Sequence, residues 1–471
     1  IYSSATDDLG YDGETGIAGD DFVEFTPQSG STHPATSLGM PRYQNLDAYT
    51  ADSASIVDIK QMLTGKLLAI AYDNSDAVVA ATYVQSPRIL DAIYTAGADD
   101  ADEAMLGLDY AESGINSYLW APTAQQVKIN IYDENKTLQS SQQMTVDNNT
   151  GIWSINLDSS VDRQFYRFEL AVYHHINQRF ETLESTDPYS VSLSTNGDYS
   201  QFVNLEDDNL KPQNWDAHVS PSIVDPEDAV IYEGHIRDFS IRDESTSVAN
   251  RGKYLAFTEQ DSLPVSHLKS LAEAGLTHFQ LLPANDIATI GEDLSNSVNI
   301  TDTVADLCAL NSSAPVCGAE DNSASLLSVF ESYDPSTSDA QALANAMRGL
   351  DSFNWGYDPK HYSAPEGSYA SDPDGAARIL EMRAMIKTLH EIGLRVSLDV
   401  VYNHTSSSGL FDNSVLDKVV PGYYHRRNLT TGDVLRDTCC EDTAPEHQMM
   451  DKLMADSLAL QLRPILQPSL R

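Results

Sequence analysis

The sequence predicts a multidomain fold in which all-β modules are followed by an incomplete α/β barrel of the (β/α)8 type. Two observations support this prediction. Short apolar runs separated by turn residues occupy residues 38–212, a pattern typical of antiparallel sheets. From residue 229 onward, apolar strands alternate with amphipathic helices, and residues 394–405 (LRVSLDVVYNHT) are apolar along their length and polar at their end. Barrel strands present active-site groups in this way.

The composition excludes two classes of partner. The 471 residues carry a formal charge of −42, from 70 acidic against 28 basic side chains. Binding to a phosphate backbone requires clustered Lys and Arg, and anionic lipid surfaces repel an acidic chain. We therefore expect no nucleic-acid partner, and we expect no membrane span because apolar runs such as LLAIAY are too short. The acidity predicts a solvated surface, with a cation-binding surface as the alternative.

The first half of the chain predicts three segments. Residues 1–37 are rich in Asp, Gly, Ser and Thr without periodicity, which predicts a disordered or remnant segment. Residues 38–108 contain LLAIAY and AVVAATYV on either side of DNSD, a hairpin signal within a small β domain. Residues 109–212 contain SYLWAP, VKINIYDE, GIWSINL and QFYRFELAVY, a succession of short strands that predicts a β-sandwich.

Three aromatic residues of the predicted sandwich allow two interpretations. Trp120, Trp153 and Tyr166 lie in alternating strands, where aromatic side chains usually point into the core. Stacking of the same rings on sugars is the alternative. We predict the core placement.

The second half predicts the start of the barrel. A Pro- and Asp-containing linker at residues 213–228 leads into a barrel assigned to residues 229–460. The string AVIYEGHIRDF at residues 229–239 predicts the first strand, and THFQLLP predicts the second. Between them we expect a helix capped by Ser266, with Leu268 and Leu271 facing inward and Gly275 at its end. Polar residues at the end of this first strand are expected to brace the barrel end rather than to contact substrate: His235, Arg237 and Asp238.

Two further helices are predicted. The first runs from Asp374 to Ile392, with Asp374 as its cap and Gly393 at its end. Its apolar residues share one face: Ile379, Met382, Met385, Ile386 and Leu389. The second covers residues 446–460, and its shared apolar face comprises Met450, Leu453, Met454 and Leu458.

The four cysteines fall into two local pairs. Cys308 and Cys317 lie in a long insertion at residues 286–349, and their spacing predicts a loop-closing disulfide rather than a zinc site. Cys439 and Cys440 are adjacent in TCCEDTAPEH. Two free thiols and a strained vicinal disulfide are both open for this second pair.

Several motifs together resemble one enzyme family. The strings DVVYNH, FNWGYDP, YEGHIRDFS and LLPANDIATI resemble glycoside hydrolase family 13, and in combination its pullulanase type, from about residue 38 to residue 460. SYLWAPTAQQVKINIYD is similar to a family 48 carbohydrate-binding module. The resemblance implies retaining hydrolysis of α-1,6 linkages, α-glucan partners (pullulan, starch, glycogen, limit dextrins), and an extracellular or cell-surface location. It implies no required cofactor and leaves Ca2+ open through Asn403, so no metal is assigned.

The resemblance assigns roles to a few residues. By match to the family's DVVxNH motif, Asp399 would order the floor of a sugar subsite and His404 would donate to a sugar hydroxyl. By match to YNWGYDP, Tyr357 would stack under the same sugar, whereas Phe353 stands where the family has Tyr. Asp358 is expected to fix the loop.

The groups that perform the hydrolysis are missing from this sequence. A retaining glycosidase needs a carboxylate nucleophile and a general acid about 5 Å apart. The family carries its nucleophile in a GFRFD string and its acid on the next strand, and the sequence contains no GFRxD. Residues 461–471 (QLRPILQPSLR) contain no acidic residue and do not resemble the family, which predicts a frameshifted or mis-spliced end. We expect no catalytic residue and no hydrolysis by this chain; the alternatives are a non-catalytic α-glucan-binding protein and an unstable fragment.

Overall fold

The computed structural model describes residues 1–7, 9–12, 16–19, 21–28, 44–51 and 55–466. Within these residues, no helix combines the length and the apolar character needed to cross a bilayer. The predicted segment 1–37 lies partly outside the described residues, as do the last five residues of the tail.

An antiparallel sheet forms the amino-terminal region. Its elements are β1 Tyr2–Ser4, β2 Gly10–Asp12, β3 Gly16–Ala18, β4 Asp21–Phe22, β5 Phe25–Pro27, β6 Tyr49–Ala51, α1 Ile56–Leu63, β7 Lys66–Tyr72, β8 Val78–Tyr83 and α2 Pro87–Tyr94. The main sheet has the order β4-β1-β7-β8, and β2 pairs with β3 as β5 does with β6. The hairpin predicted at DNSD is the β7–β8 pair. The prediction of a disordered start was wrong where residues are described, because β1 pairs with β7 and buries Ser3 and Ser4. The interpretation of this start as a remnant stays a prediction.

Two antiparallel sheets pack as the predicted sandwich. Their strands are β9 Gly107–Ala111, β10 Gly114–Trp120, β11 Gln126–Tyr132, β12 Leu138–Gln143, β13 Thr145–Asp147, β14 Ile152–Leu157, β15 Phe165–His174, β16 Arg179–Ser185 and β17 Ser200–Gln201. One sheet has the order β13-β14-β10-β9 and the other β12-β11-β15-β16, with β17 on β15. Buried and partly exposed residues alternate along most of β15 because successive side chains point to opposite faces.

The three aromatic residues of the sandwich are core residues, as predicted. Trp120, Trp153 and Tyr166 are all buried. Each polar group finds a partner: the indole N–H groups of Trp120 and Trp153 donate to the carbonyls of Thr150 and Ala121 at 3.0 and 2.9 Å. These rings therefore do not offer a sugar-stacking surface.

A parallel sheet begins the second half. The elements in this part are β18 Ile231–Gly234, α3 Leu263–Glu273, β19 His278–Leu281, β20 Asn285–Ile287, α4 Val304–Leu310, α5 Leu326–Ser332, α6 Asp339–Met347, β21 Pro359–Pro365, α7 Ala377–Ile392, β22 Arg395–Leu398, β23 His404–Thr405, α8 Leu416–Val419, β24 Glu441–Asp442 and α9 Gln448–Leu466. The strand order is β18-β19-β22, and both pairings are parallel. Helix α3 connects β18 to β19, and α7 precedes β22.

Three predicted boundaries in this region were wrong. The first strand ends at Gly234 rather than Phe239, because the chain turns there and the Phe239 N–H donates to the His235 carbonyl at 2.9 Å. Helix α3 begins one turn before Ser266, with Ser262 at its cap position. Helix α7 has Ala376 at its cap position, because one oxygen of the Asp374 carboxylate pairs with Lys136 at 2.6 Å and the other accepts from the Thr195 N–H at 3.1 Å.

Helix α9 departs from its prediction at both ends. It begins at Gln448 and continues past residue 460 to Leu466. Met450 and Leu453 are buried as predicted, whereas Leu458 is 41% exposed. The buried stripe passes through Ser457 instead, whose hydroxyl accepts a hydrogen bond from Tyr402 at 3.3 Å.

The insertion forms a helical cluster with its own small core. Helices α4, α5 and α6 bury a set of apolar side chains against one another: Val304, Leu307, Leu326, Val329 and Leu343. Cys308 and Cys317 are joined by a disulfide, with their Cα atoms 5.7 Å apart. Cys439 and Cys440 are free thiols.

The sandwich core continues into the end of the chain. The rings of Tyr423 and Tyr424, which follow α8, lie 4.7 and 6.1 Å from the ring of Trp120 in edge-on contacts. Met449, Met450 and Leu453 of α9 belong to the same apolar cluster. The sandwich is therefore docked against the part of the chain that carries the candidate site.

Candidate functional site

The end of β22 places Asp399 at the edge of the parallel sheet. The Asp399 N–H donates to the Leu281 carbonyl at 2.9 Å, which continues the sheet pairing one residue past the strand. The Tyr357 hydroxyl donates to the Asp399 carboxylate at 2.5 Å. Burial and this hydrogen bond raise the pKa of Tyr357 to about 12. At neutral pH, Tyr357 is therefore a neutral phenol that holds one oxygen of Asp399 in place.

His404 joins the same cluster from β23. Its Nδ1 atom is 3.0 Å from the Asn403 side-chain oxygen, and its Nε2 atom is 2.8 Å from the Tyr357 carbonyl. The imidazole is buried and both nitrogens have protein partners. The structure thus brings Tyr357, Asp399 and His404 together, and His404 anchors the Tyr357 loop to β23. Its donation to a sugar hydroxyl stays a prediction.

The residues expected to brace the barrel end make the corresponding contacts. Arg237 donates to the side chains of Ser352 and Asn299 at 2.9 and 2.7 Å, and it also donates to Asp238 at 2.9 Å. His235 lies 3.3 Å from the Asn354 side-chain oxygen. These contacts connect the end of β18 to the insertion and to the loop that carries Tyr357.

Asp358 and Phe353 differ in their surroundings. Asp358 accepts a hydrogen bond from the Thr289 hydroxyl at 2.9 Å, and its carbonyl accepts from the Ala288 N–H at 2.9 Å, so it holds the loop as expected. Phe353 is 54% exposed. The ring at this position therefore faces solvent rather than the core.

A buried charge network lies behind the site, and sequence reasoning missed it. The carboxylates of Asp286, Glu292 and Glu366 come within 4.8 Å of one another. Arg378 pairs with Glu292 at 3.1 Å, and His361 is 2.7 Å from Asp286. Burial, together with the two neighbouring carboxylates, raises the pKa of Glu366 well above its usual range. All three carboxylates are buried, and the guanidinium of Arg378 is a cation that lies among them.

A cleft opens beside Asp399. Its volume is about 600 Å³, and it is bounded by α7, by β22 and by α9. Its walls are mainly apolar with a few polar groups, as is common for ligand sites; they include Trp215, Tyr362, Met382, Ile386, Leu398 and Gln461.

One contact of His404 has no counterpart in the sequence motifs. The Cys439 sulfur lies 3.4 Å from His404 Nε2. Pairing of β23 with β24 causes this approach, since His404 faces Asp442 across the ladder. The adjacent cysteines were visible in the sequence, but the pairing of two two-residue strands was not.

The modules and the site define a class of carbohydrate-associated protein. Residues 105–190 match the carbohydrate-binding module 48 (isoamylase N-terminal domain). Residues 1–92 match the pullulanase N2 domain, and residues 287–353 match the pullulanase Ins domain. The amino-terminal part is therefore built from β-rich modules of the kind found in debranching enzymes.

The chain is homologous to pullulanases over nearly its whole length. It is 41% identical to the pullulanase of Klebsiella pneumoniae over 473 residues, which cover 98% of this chain and 43% of the relative. It is 35% identical to the chloroplastic pullulanase 1 of Arabidopsis thaliana, with 97% of this chain and 44% of the relative covered. The apo crystal structure of the Klebsiella pneumoniae pullulanase matches with a TM-score of 0.93 at 39% identity, covering 98% of this chain and 51% of that chain. The chain thus spans less than half the length of these two curated relatives, and the resemblance inferred from its motifs is confirmed.

Proposed function

We propose that the chain functions in α-glucan debranching, as the part of a pullulanase-type α-1,6-glucosidase that binds the glucan. The observation that carries the proposal is the 41% identity to a pullulanase over 98% of the chain. The Tyr357–Asp399 pair supports it, because a carboxylate held at the end of a parallel strand is suited to binding sugar hydroxyl groups.

In this proposal the parallel sheet is the first part of a (β/α)8 barrel. Strands β18, β19 and β22 are parallel, and α3 and α7 precede β19 and β22 as barrel helices do. The complete barrel would hydrolyse α-1,6 linkages with retention, using a nucleophile and a general acid. The 471 residues contain no GFRxD string, so we expect this chain to bind the glucan without cleaving it.

The proposed partners are α-glucans such as pullulan, starch, glycogen and limit dextrins. Structures of the Klebsiella pneumoniae pullulanase have been determined as maltotriose complexes, which supports maltotriose as the probe. We also propose an extracellular or cell-surface location. The Cys308–Cys317 disulfide supports it, because such bonds persist in oxidising compartments.

A non-catalytic α-glucan-binding protein is the alternative. The sandwich and the Tyr357–Asp399 pair are consistent with binding alone. Hydrolysis of pullulan distinguishes the two proposals. If the chain is part of an enzyme, joining it to a sequence that supplies the nucleophile and the general acid should produce hydrolysis. A protein that only binds glucan should produce none.

The test measures binding and cleavage separately. The purified chain is titrated with maltotriose by calorimetry and incubated with pullulan while reducing ends are counted. We expect binding and no release of reducing ends. Asp399→Asn should weaken binding about tenfold or more, because it removes a charged hydrogen-bond acceptor. Tyr49→Phe, a change at an exposed tyrosine of β6, is the control. Absence of binding would contradict the proposal, and release of reducing ends would contradict the expected inactivity.

A further inference from the structure

Three metal-ligating side chains, one imidazole and two thiols, lie together next to the Tyr357–Asp399 pair. His404 is in β23, and Cys439 and Cys440 come immediately before β24, which pairs with β23. His404 Nε2 is 3.4 Å from the Cys439 sulfur, and the ligand atoms of the three residues all lie within 4.8 Å of one another. Neither the sequence motifs nor the family matches assign a role to this arrangement.

We propose that His404, Cys439 and Cys440 form a binding site for a thiophilic divalent cation, with Zn2+ as its chemical type. Zinc binds imidazole nitrogen and thiolate sulfur in a tetrahedral arrangement, at about 2.0–2.1 Å and about 2.3 Å. Those bond lengths place nitrogen and sulfur ligands roughly 3.5 Å apart. The observed separation of 3.4 Å between His404 Nε2 and the Cys439 sulfur matches this value.

The His404 imidazole can present Nε2 to a cation. The Tyr357 carbonyl can only accept a hydrogen bond, so its contact with His404 requires an N–H at Nε2. Cation binding requires the other tautomer, in which Nδ1 donates to the Asn403 side-chain oxygen at 3.0 Å and the lone pair of Nε2 is free. Cation binding would replace the contact between Nε2 and the Tyr357 carbonyl at 2.8 Å. The Asp358 carboxylate, 3.9 Å from the Cys440 sulfur, or a water completes four ligands.

Both thiols are available to a cation from solvent. Cys308 and Cys317 are joined to each other, so Cys439 and Cys440 are the two free thiols among the four cysteines of the sequence. Cys439 is exposed and Cys440 is partly exposed. Each thiol that becomes a ligand releases one proton.

Cation binding would change the proposed sugar subsite. It would link His404 to the segment before β24 and detach the imidazole from the Tyr357 carbonyl, so the Tyr357 loop would lose one of its anchors. We expect the cation to weaken maltotriose binding at the Tyr357–Asp399 pair. This coupling rests on the proposed function, whereas the cation site itself does not.

The test uses Co2+ as a spectroscopic probe and Zn2+ as its competitor. The chain is purified anaerobically, its two free thiols are counted, and Co2+ is added. We expect one Co2+ per chain, a thiolate-to-cobalt charge-transfer band in the near ultraviolet, and displacement of Co2+ by Zn2+. Cys439→Ser should weaken binding more than about 100-fold, since loss of even a supporting residue outside the ligand set typically costs 10–100-fold.

Matched histidine variants test whether the cobalt band comes from the proposed site. His404→Gln should abolish the band, and His267→Gln, a change at an exposed histidine of α3, should leave it unchanged. Cys439 is exposed, so Cys439→Ser is expected to fold, and circular dichroism checks this. A missing charge-transfer band, binding that survives Cys439→Ser, or recovery of the two cysteines as a vicinal disulfide under anaerobic conditions would overturn the site. None of these outcomes depends on glucan binding.

Discussion

The sandwich and the parallel sheet differ in how completely they bury their apolar residues. In the sandwich, Ile129 and Phe168 are fully buried between the two sheets. In the parallel sheet, β19 is buried at Phe279, whereas Ile231 of β18 is 55% exposed. The outer edge of β18 has no strand partner within the part of the chain that the structure describes. An apolar strand with an open edge is a surface that proteins normally cover.

The two regions owe their stability to different sources. The sandwich has a closed apolar core that it shares with Tyr423, Tyr424 and the start of α9, and its stability comes from that core. The parallel sheet depends on its neighbours, and the buried charge network supplies one connection. Arg378 of α7 donates to the Ser194 carbonyl at 3.2 Å, and the Glu292 carboxylate accepts from the Asn196 N–H at 2.5 Å. Both partners belong to the loop before β17, at the end of the sandwich.

Removing Arg378 should have the largest effect. Arg378→Met leaves buried carboxylates without their cation, and breaking a buried ion pair typically costs about 3–5 kcal/mol. We expect urea unfolding, followed by tryptophan fluorescence, to begin at a lower concentration and to separate into two transitions. Lys387→Met on the same helix is the control, because the Lys387–Glu391 pair is partly exposed and worth at most about 0.5 kcal/mol. A single unshifted transition for Arg378→Met would show that the network does not join the two regions.

A pair of identical truncations measures the difference in burial. Ile129→Ala in β11 removes atoms from a closed core and should lower the free energy of unfolding by about 2–5 kcal/mol. Ile231→Ala in β18 removes atoms that are already half in water, so its cost should stay below about 1 kcal/mol. Urea midpoints of the two variants provide the measurement. Equal costs would mean that β18 is covered in solution.

The sequence predicted those parts of the fold that depend on local pattern. The hairpin at DNSD, the sandwich strands and the end of α7 at Gly393 all appear, and Gly393 has a φ of 97°, which glycine adopts readily. The cap of α7 was wrong because Lys136, far away in the sequence, takes the Asp374 carboxylate. A carboxylate that could cap a helix can also pair with a distant cation, and the sequence around Asp374 holds no signal for Lys136, 238 residues away.

The sequence predicted which residues belong to the candidate site, but it did not predict all of the contacts that they make. The motif resemblance selected Tyr357, Asp399 and His404, and the structure places them together. The approach of Cys439 to His404 depends on two strands of two residues each, which have no periodicity to detect. The buried network around Arg378 was missed for a related reason, since its members come from different elements and are charged residues, which pattern arguments assign to the surface.

A substitution at the open edge of β18 should change the free energy of unfolding least, and it tests most directly how the two regions differ. Ile231→Lys places a charge on an exposed residue, so the free energy of unfolding should change by less than about 0.5 kcal/mol. Self-association should nevertheless fall, because a lysine on an edge strand opposes pairing with another chain. Sedimentation velocity over a range of protein concentrations measures the self-association.

Ile176→Lys is the matched control. Ile176 is 54% exposed, but it lies in the turn between β15 and β16, away from an open sheet edge. If both lysine variants reduce association equally, exposed apolar area alone is responsible; if only Ile231→Lys does, the unpaired edge of the parallel sheet is the surface that must be covered.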